Sequence, residues 1–187
     1  MKVQVLFVLF VFVTMSGSAL AFGGNGSYEH PMPTDIEVGD ILIGHSPDSD
    51  PLIPGYWTHN SMVAYVKDGE WFVVEAWFTG VRITKLSDYM ARYDDVAILR
   101  VSASKAQKKR AVRFALAQLG KPYDFALWTK QVYGPSYYCS ELVWAAYKVV
   151  GIDIDAHPGF SLEYFWGVAP QEIYDDSDTV EIYRNSI

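Results

Sequence analysis

Apolar positions fall into short strand-like runs in the first half of this chain and into helically spaced sets in the second. Gly39-Asp40-Ile41-Leu42-Ile43-Gly44 is an apolar run between glycines and reads as a strand, followed by a Pro/Asp/Ser loop from Ser46 to Gly55. Ser61 to Val66 and Trp71 to Ala76 are two further strands, joined through Lys67-Asp68-Gly69-Glu70 as a hairpin. A three-residue loop with Gly69 left-handed sets Val66 against Glu70, and one face then carries only Met62, Ala64, Val66, Phe72, Val74 and Ala76. The opposite face carries Ser61, Val63, Tyr65, Trp71, Val73 and Glu75, with His59 on the same parity and Ser61 facing Glu75. A slip of one residue scrambles that separation, so this register is expected, with the Ser61 face bordering the functional site.

Val96 to Val101 is another strand. Ser104 and Gln107 then form a capping box that opens a helix running to Leu119, where Gly120 stops it and Pro122 confirms the break. After Tyr138, the residues Leu142, Val143, Ala146, Val149 and Val150 recur at helical spacing up to Gly151, which places Cys139 in the first turn of a second helix. Val180 to Tyr183 is a last strand candidate behind the acidic turn Asp175 to Asp178. Strands first and helices later predict an α+β fold.

The N-terminal 21 residues stand outside this pattern. Lys2, the apolar run Val5 to Val13 and Ala19-Leu20-Ala21 read as a signal peptide, so a secreted, periplasmic or otherwise extracytoplasmic product is expected. Residues 22–35 are rich in Gly, Pro and small polar side chains and read as a flexible leader, leaving residues 36–187 as a single domain. No later apolar stretch reaches the roughly 18 to 20 residues of a membrane-spanning helix, so no transmembrane segment is expected in the mature chain. The formal charge of −7 argues against nucleic acid as a partner. There is no P-loop, dinucleotide fingerprint, paired-histidine zinc motif or G-x-S-x-G elbow, and no cofactor or metal is expected.

A single cysteine, Cys139, in a chain addressed for export draws attention, because exported thiols are usually paired. At a helix start the positive end of the dipole stabilises the thiolate, and a nucleophilic cysteine then needs a base and a group to orient it. Of the four histidines, His30, His45 and His157 read as solvated residues of the leader, a loop and a His-Pro-Gly turn. His59 opens a strand whose neighbour carries Glu75. Diagonal neighbours of that kind lie roughly 7 Å apart at the backbone, within reach of an imidazole and a carboxylate.

These residues match a family pattern. Leu119-Gly120-Lys121-Pro122-Tyr123 followed by Tyr138-Cys139-Ser140-Glu141-Leu142 resembles the G-x-P-Y … C-S-x-L region of NlpC-type papain-fold cysteine peptidases. Gly39-Asp40-Ile41-Leu42, Thr58-His59 and Val74-Glu75-Ala76 with Gly80-Val81 resemble their G-D-I-L … H … A segment. Here the histidine block precedes the cysteine block, which resembles the circularly permuted branch, the YiiX/YaeF-like amidases, related more distantly to the lecithin:retinol acyltransferase-like proteins.

The resemblance implies a permuted papain-like fold, with an antiparallel sheet packed against helices, and an amidase or peptidase that works through a cysteine acyl-enzyme. It implies Cys139 as nucleophile, His59 as base and Glu75 as the group orienting the imidazole, Glu75 standing where the family more often has His, Asn or Gln. It also implies Tyr123 as a residue lining the site. The aromatics Trp57, Trp77, Phe78, Tyr137 and Tyr138 flank these positions in sequence; Trp57, Trp77, Tyr123 and Tyr138 are the expected substrate contacts. The expected partner is a cell-envelope peptide, glycan or lipid. A lipid acyltransferase and a non-catalytic glycan- or lipid-binding domain stand as alternatives. Lys108, Lys109, Arg110 and Arg113 read as a solvated basic face of the first helix.

Overall fold

In the computed structural model, which describes Gly24 and residues 26–187, six strands form one antiparallel sheet. They are β1 (Ile41–His45), β2 (His59–Lys67), β3 (Glu70–Trp77), β4 (Gly80–Lys85), β5 (Asp95–Val101) and β6 (Thr179–Ser186), in the order β4-β3-β2-β1-β5-β6. The helices are α1 (Leu86–Met90), α2 (Lys105–Leu116), α3 (Cys139–Lys148) and α4 (Pro170–Asp175). The expected signal peptide lies outside the described residues.

Both faces of the sheet are covered. Ile41, Ile43, Met62, Val74, Ala97 and Leu99 pack in one cluster with Ala111 and Ala115 of α2 and Leu142, Val143 and Ala146 of α3. Leu42, Val63, Val73, Val96 and Ile98 pack on the other side with Leu86, Tyr89 and Met90 of α1 and with Tyr93. Ser61, on that second side, is fully buried rather than bordering an open site. The short α1 covers a sheet face with few residues, all large, which is why a periodicity search passes over it.

The hairpin corrects the expected register. Lys67 pairs with Glu70 around Asp68 (φ +53°) and Gly69 (φ +81°), a two-residue turn with both central residues left-handed, as the right-handed strand twist favours. Beyond the turn Val66 pairs with Trp71 and Tyr65 with Phe72, but a bulge between Val63 and Tyr65 then sets Val63 against Val73 and Met62 against Val74. The extra residue in β2 restores, at the far end, the alignment that a three-residue loop would have produced. Tyr65 and Val66 exchange faces relative to expectation, while the His59, Ser61, Val63, Val73, Glu75 face is as read from the alternation.

Helix ends follow local chemistry. Ser104 Oγ accepts the Gln107 N–H (3.3 Å) and the Gln107 side chain accepts the Ser104 N–H (3.1 Å), which closes the capping box. Regular helix α2 ends at Leu116, three residues before the expected Leu119, and a turn carries the chain to Gly120. The Gly39-Asp40 step ties β1 to its surroundings: the buried Asp40 carboxylate receives Arg100 Nε (3.1 Å) and Nη2 (2.8 Å) and lies 3.6 Å from Lys108 Nζ. Lys108 is therefore buried, against the reading of a wholly solvated basic face. The segment read as a leader makes specific contacts: Tyr28 N–H donates to the Ala91 carbonyl (2.9 Å), and the His30 ring nitrogens lie 2.8 Å from Asn185 Oδ1 and 2.8 Å from the Tyr93 carbonyl. His30 is thus not a purely solvated residue.

Candidate active site

Strand pairing sets the first half of the site. His59 begins β2 opposite Gly44 of β1, and Glu75 lies on the same face of β3. The imidazole Nε2 is 2.9 Å from Glu75 Oε2, both side chains being almost completely buried. Tyr89 fastens the same end of the sheet, its hydroxyl donating to the carbonyls of Leu42 and His59 (3.3 Å each). The His59 ring is enclosed by aromatics: Tyr93 is nearly parallel at 5.9 Å and Trp77 meets it edge-on at 5.4 Å. Gly44 is required here, since a β-carbon on it would come within 2.4 Å of the Tyr93 ring.

Glu75 has four partners. Besides His59, it accepts from Arg92 Nη2 (2.8 Å) at Oε2 and from Arg82 Nε (3.0 Å) and Thr84 Oγ1 (2.6 Å) at Oε1. Burial alone would raise its pKa; the His59 hydrogen bond and the Arg92 charge outweigh burial and hold the carboxyl well below the usual carboxylate range. Both guanidinium groups lie over the Trp77 ring, Arg92 at 4.2 Å and Arg82 at 4.5 Å, so the Arg92 nitrogens that lack a hydrogen-bond acceptor are balanced by π-faces.

Helix α3 supplies the second half. Cys139 is its first residue, so the thiol meets the positive end of the helix dipole and the N–H groups of the first turn have no helical carbonyl to bond. Glu141 caps the turn, accepting the N–H groups of Gln131 (2.8 Å) and Tyr138 (3.3 Å). Burial pushes Glu141 up to about 8, so at neutral pH it is mostly protonated and adds little negative charge beside the thiol. Burial of Cys139 would raise its pKa, but the His59 charge, a hydrogen bond to the imidazole and the Asn60 backbone N–H lower it instead. For His59 burial would lower the pKa; the Cys139 thiolate and Glu75 raise it. With Nε2 given to Glu75, the ring nitrogen left for the thiol is Nδ1. The pair favours thiolate and imidazolium at rest.

In front of Cys139 lies a cavity of about 300 Å³, walled by residues 52–54, Tyr123, Leu127, Trp128, residues 163–165 and residues 168–170, together with Tyr138 and Ser140. Its first wall is fastened by His45, whose ring nitrogens sit 2.6 Å from Asp94 and 3.1 Å from Asp50 and whose ring stacks on Tyr56 at 4.2 Å. His45 is buried, contrary to its reading as a solvated loop residue, whereas the side chain of His157 is 60% exposed.

The structure therefore brings Cys139, His59 and Glu75 together, with Tyr123 and Tyr138 in the cavity wall. The Tyr123 hydroxyl interacts with the thiol, and burial followed by the thiolate charge raises its pKa well above 10, so it stays protonated. Tyr138 uses its hydroxyl to accept the Val168 N–H (3.0 Å). Two expected substrate contacts stand elsewhere. Trp57 is buried in the core against Tyr174 at 5.2 Å, and Trp77 is used on His59 and the two arginines. Sequence reading missed Arg82, Thr84, Arg92 and Tyr93. Arg82 and Thr84 share strand parity in Gly80-Val81-Arg82-Ile83-Thr84-Lys85, with Arg82 directly opposite Glu75, and a fourth strand read there would have found them. Arg92 and Tyr93 come from an irregular turn with no periodic signal.

Comparison with known proteins gives the family and the fold. Residues 35–183 match the family described as permuted papain-like amidase enzyme, YaeF/YiiX, C92 family. The uncharacterized protein YycO of Bacillus subtilis (strain 168) is 34% identical over 92 residues, 48% of this chain and 35% of YycO, so the match spans about a third of that relative's length. A crystal structure from Escherichia coli O157:H7, described as metalloprotein yiiX, superposes with a TM-score of 0.65 at 22% identity, covering 81% of this chain and 98% of that one, and shares the fold.

Proposed function

The chain belongs to the permuted papain-like amidase family, YaeF/YiiX, and from that premise we propose that it is an exported thiol hydrolase that cleaves an amide or ester of a cell-envelope substrate through an acyl-enzyme on Cys139. The observation that carries this reading is the buried chain of contacts from Cys139 through His59 to Glu75 at the foot of a cavity. A binding module has no use for it.

The chemistry follows from the protonation states. The thiolate attacks the carbonyl carbon, forming the S–C bond and placing charge on the carbonyl oxygen, which the Cys139 backbone N–H and the Tyr123 hydroxyl are available to receive. As the C–N or C–O bond breaks, imidazolium Nδ1 gives its proton to the leaving amine or alkoxide. Water then gives a proton to His59 and attacks the thioester, releasing the acid and restoring thiolate and imidazolium. Glu75 stays ionised throughout, fixing the ring and favouring its charged form.

The Escherichia coli protein is described as a metalloprotein. Among the described residues of this chain no group of three or more His, Cys, Asp and Glu side chains is placed to hold a metal ion, so the residues present do not fit such a centre. The export part of the proposal rests on the signal-like first 21 residues. The test is intact mass after incubation with activated acyl esters. Wild type is expected to gain one acyl group on Cys139, and Cys139→Ser and His59→Ala to gain none. An adduct of equal yield on His59→Ala would refute the assignment.

A further inference from the structure

The segment that reads as a leader lies against the turn whose side chains support the reactive pair. Gly24, Gly26, Tyr28 and His30 are buried or half-buried while Ser27 and Glu29 are exposed, the alternation of an extended chain resting on a surface. Three successive carbonyls of the turn between α1 and β5 face this segment. Tyr28 N–H donates to the Ala91 carbonyl (2.9 Å), Gly26 N–H to the Arg92 carbonyl (3.2 Å), and His30 Nε2 lies 2.8 Å from the Tyr93 carbonyl. A carbonyl only accepts, so Nε2 carries the proton, and Nδ1 meets the side-chain amide of Asn185 in β6 at 2.8 Å. The Tyr183 hydroxyl of the same strand donates to the Pro31 carbonyl (2.6 Å) and fastens the segment beyond His30. At Gly24 the approach is close enough that a β-carbon would come within 2.5 Å of the Arg92 carbonyl oxygen.

The same turn reaches the reactive pair through two adjacent side chains. Arg92 Nη2 donates to Glu75 (2.8 Å), and the Tyr93 ring stacks on His59 at 5.9 Å. The N–H groups of Ala91, Arg92 and Tyr93 turn back to the carbonyls of Ser87, Tyr89 and Met90 in α1, whereas their own carbonyls face the N-terminal segment. A turn outside the sheet ladder opens more readily than the strands it joins, so the bonds on its carbonyl side decide how firmly Arg92 and Tyr93 are held.

We propose that residues 24–31 are a strap that positions the reactive pair, with His30 as a positioning residue acting through Tyr93 on His59 and through Arg92 on Glu75. The proposal rests on the thiol-hydrolase reading above. None of the residues to which the strap hydrogen-bonds lines the cavity, so it bears on the chemical steps and not on substrate binding.

The test compares the full chain of wild type, His30→Ala and His30→Gln, whose side-chain amide N–H has the reach of imidazole Nε2. The readouts are hydrolysis of p-nitrophenyl acetate and the pH profile of Cys139 alkylation by iodoacetamide, both taken well below the melting temperature. His30→Ala is expected to lower kcat roughly five- to tenfold, the scale of one lost hydrogen bond, and to slow alkylation near pH 6 by a similar factor. KM should stay unchanged, because acylation and deacylation both pass through His59. His30→Gln should recover most of both losses. If His30→Ala does not fold, Asn185→Ala, which frees Nδ1 alone, carries the same comparison with a smaller change. A His30→Ala protein with a lowered melting temperature but wild-type kcat and alkylation would overturn the strap and leave the hydrolase standing, as would a rise in KM at unchanged kcat or an equal loss in His30→Gln. Wild type that takes no acyl group, with alkylation slowed in His30→Ala and recovered in His30→Gln, would overturn the hydrolase and leave the strap standing.

Discussion

Replacing Glu75 by glutamine keeps the side chain's shape and removes its charge, at a position where one carboxylate meets His59 at 2.9 Å, Arg92 at 2.8 Å and Thr84 at 2.6 Å in a fully buried setting. A hydrogen bond to a charged group contributes about 1.5–3 kcal/mol, which corresponds to a change of about 1–2 pH units in the imidazolium it stabilises. Cys139 and His59 hold each other ionised, so the thiolate becomes harder to form by a similar amount. The assay is the rate of iodoacetamide alkylation of Cys139 against pH. In wild type the acid limb is expected well below the ordinary thiol value of about 8.5, and in Glu75→Gln it should move up by about 1–2 units, with alkylation near pH 6 slowed roughly ten- to hundredfold. Stability provides a second readout. Because the folded-state pKa of Glu75 is depressed, its contribution is fully present above its unfolded value near 4.3 and is lost as the pH falls further. Urea midpoints of the two proteins should therefore differ most at neutral pH and converge in acid, the neutral difference being up to about 3 kcal/mol because glutamine retains some of the hydrogen bonds. An alkylation profile and a urea midpoint both indistinguishable from wild type would refute the reasoning that Glu75 holds the pair ionised.

Three further outcomes are expected. Gly44→Ala places a β-carbon 2.4 Å from the Tyr93 ring, so it should cost about 1–3 kcal/mol by thermal melting and reduce kcat more than KM by displacing the ring stacked on His59. Ser61→Asp should fail to fold, as should Met62→Asp, because both sides of the sheet are covered; a folded Ser61→Asp protein by circular dichroism would show that the α1 side is open. His45→Ala frees the loop that gives residues 52–54 to the cavity wall, and KM for an acyl ester should rise severalfold with the Cys139 alkylation profile unmoved.

What could be read from the chain follows the range of the forces involved. Capping at Ser104, the left-handed Gly120 and Gly151 and Cys139 at a helix start are all local, set within four residues, and they appear where expected, although regular helix α2 already stops at Leu116. The His59 and Glu75 encounter depends on pairing across one hairpin and is reachable from alternation, because the two-residue turn and the bulge, neither of them expected, offset one another. The supports of Glu75 were not legible in the same way. Arg92 arrives from a turn 17 residues away, and its place is decided by the packing of Tyr89 and Tyr93 on the sheet rather than by any pattern of its own. Trp57 shows the opposite error: being next to Thr58 and His59 in sequence places it in the core, not in the cavity, because the turn into β2 carries its ring toward Tyr174. The cavity walls are irregular segments, to which periodicity is blind.

The bulge at Ala64 separates the tip of the hairpin from the end that holds His59. Pairing at the His59 end is held jointly by β1 and β3, whereas the tip is held by β3 alone. Removing Ala64 would straighten the ladder while leaving Val63 opposite Val73 and Tyr65 opposite Phe72, so the strand tolerates a change of length there without re-registering its reactive end. Gly69, at the tip, has open space where a side chain would stand. Asp68-Gly69 is accordingly a permissive insertion point, where an epitope or a fluorescent reporter peptide can be spliced in while Cys139, His59 and Glu75 stay in place.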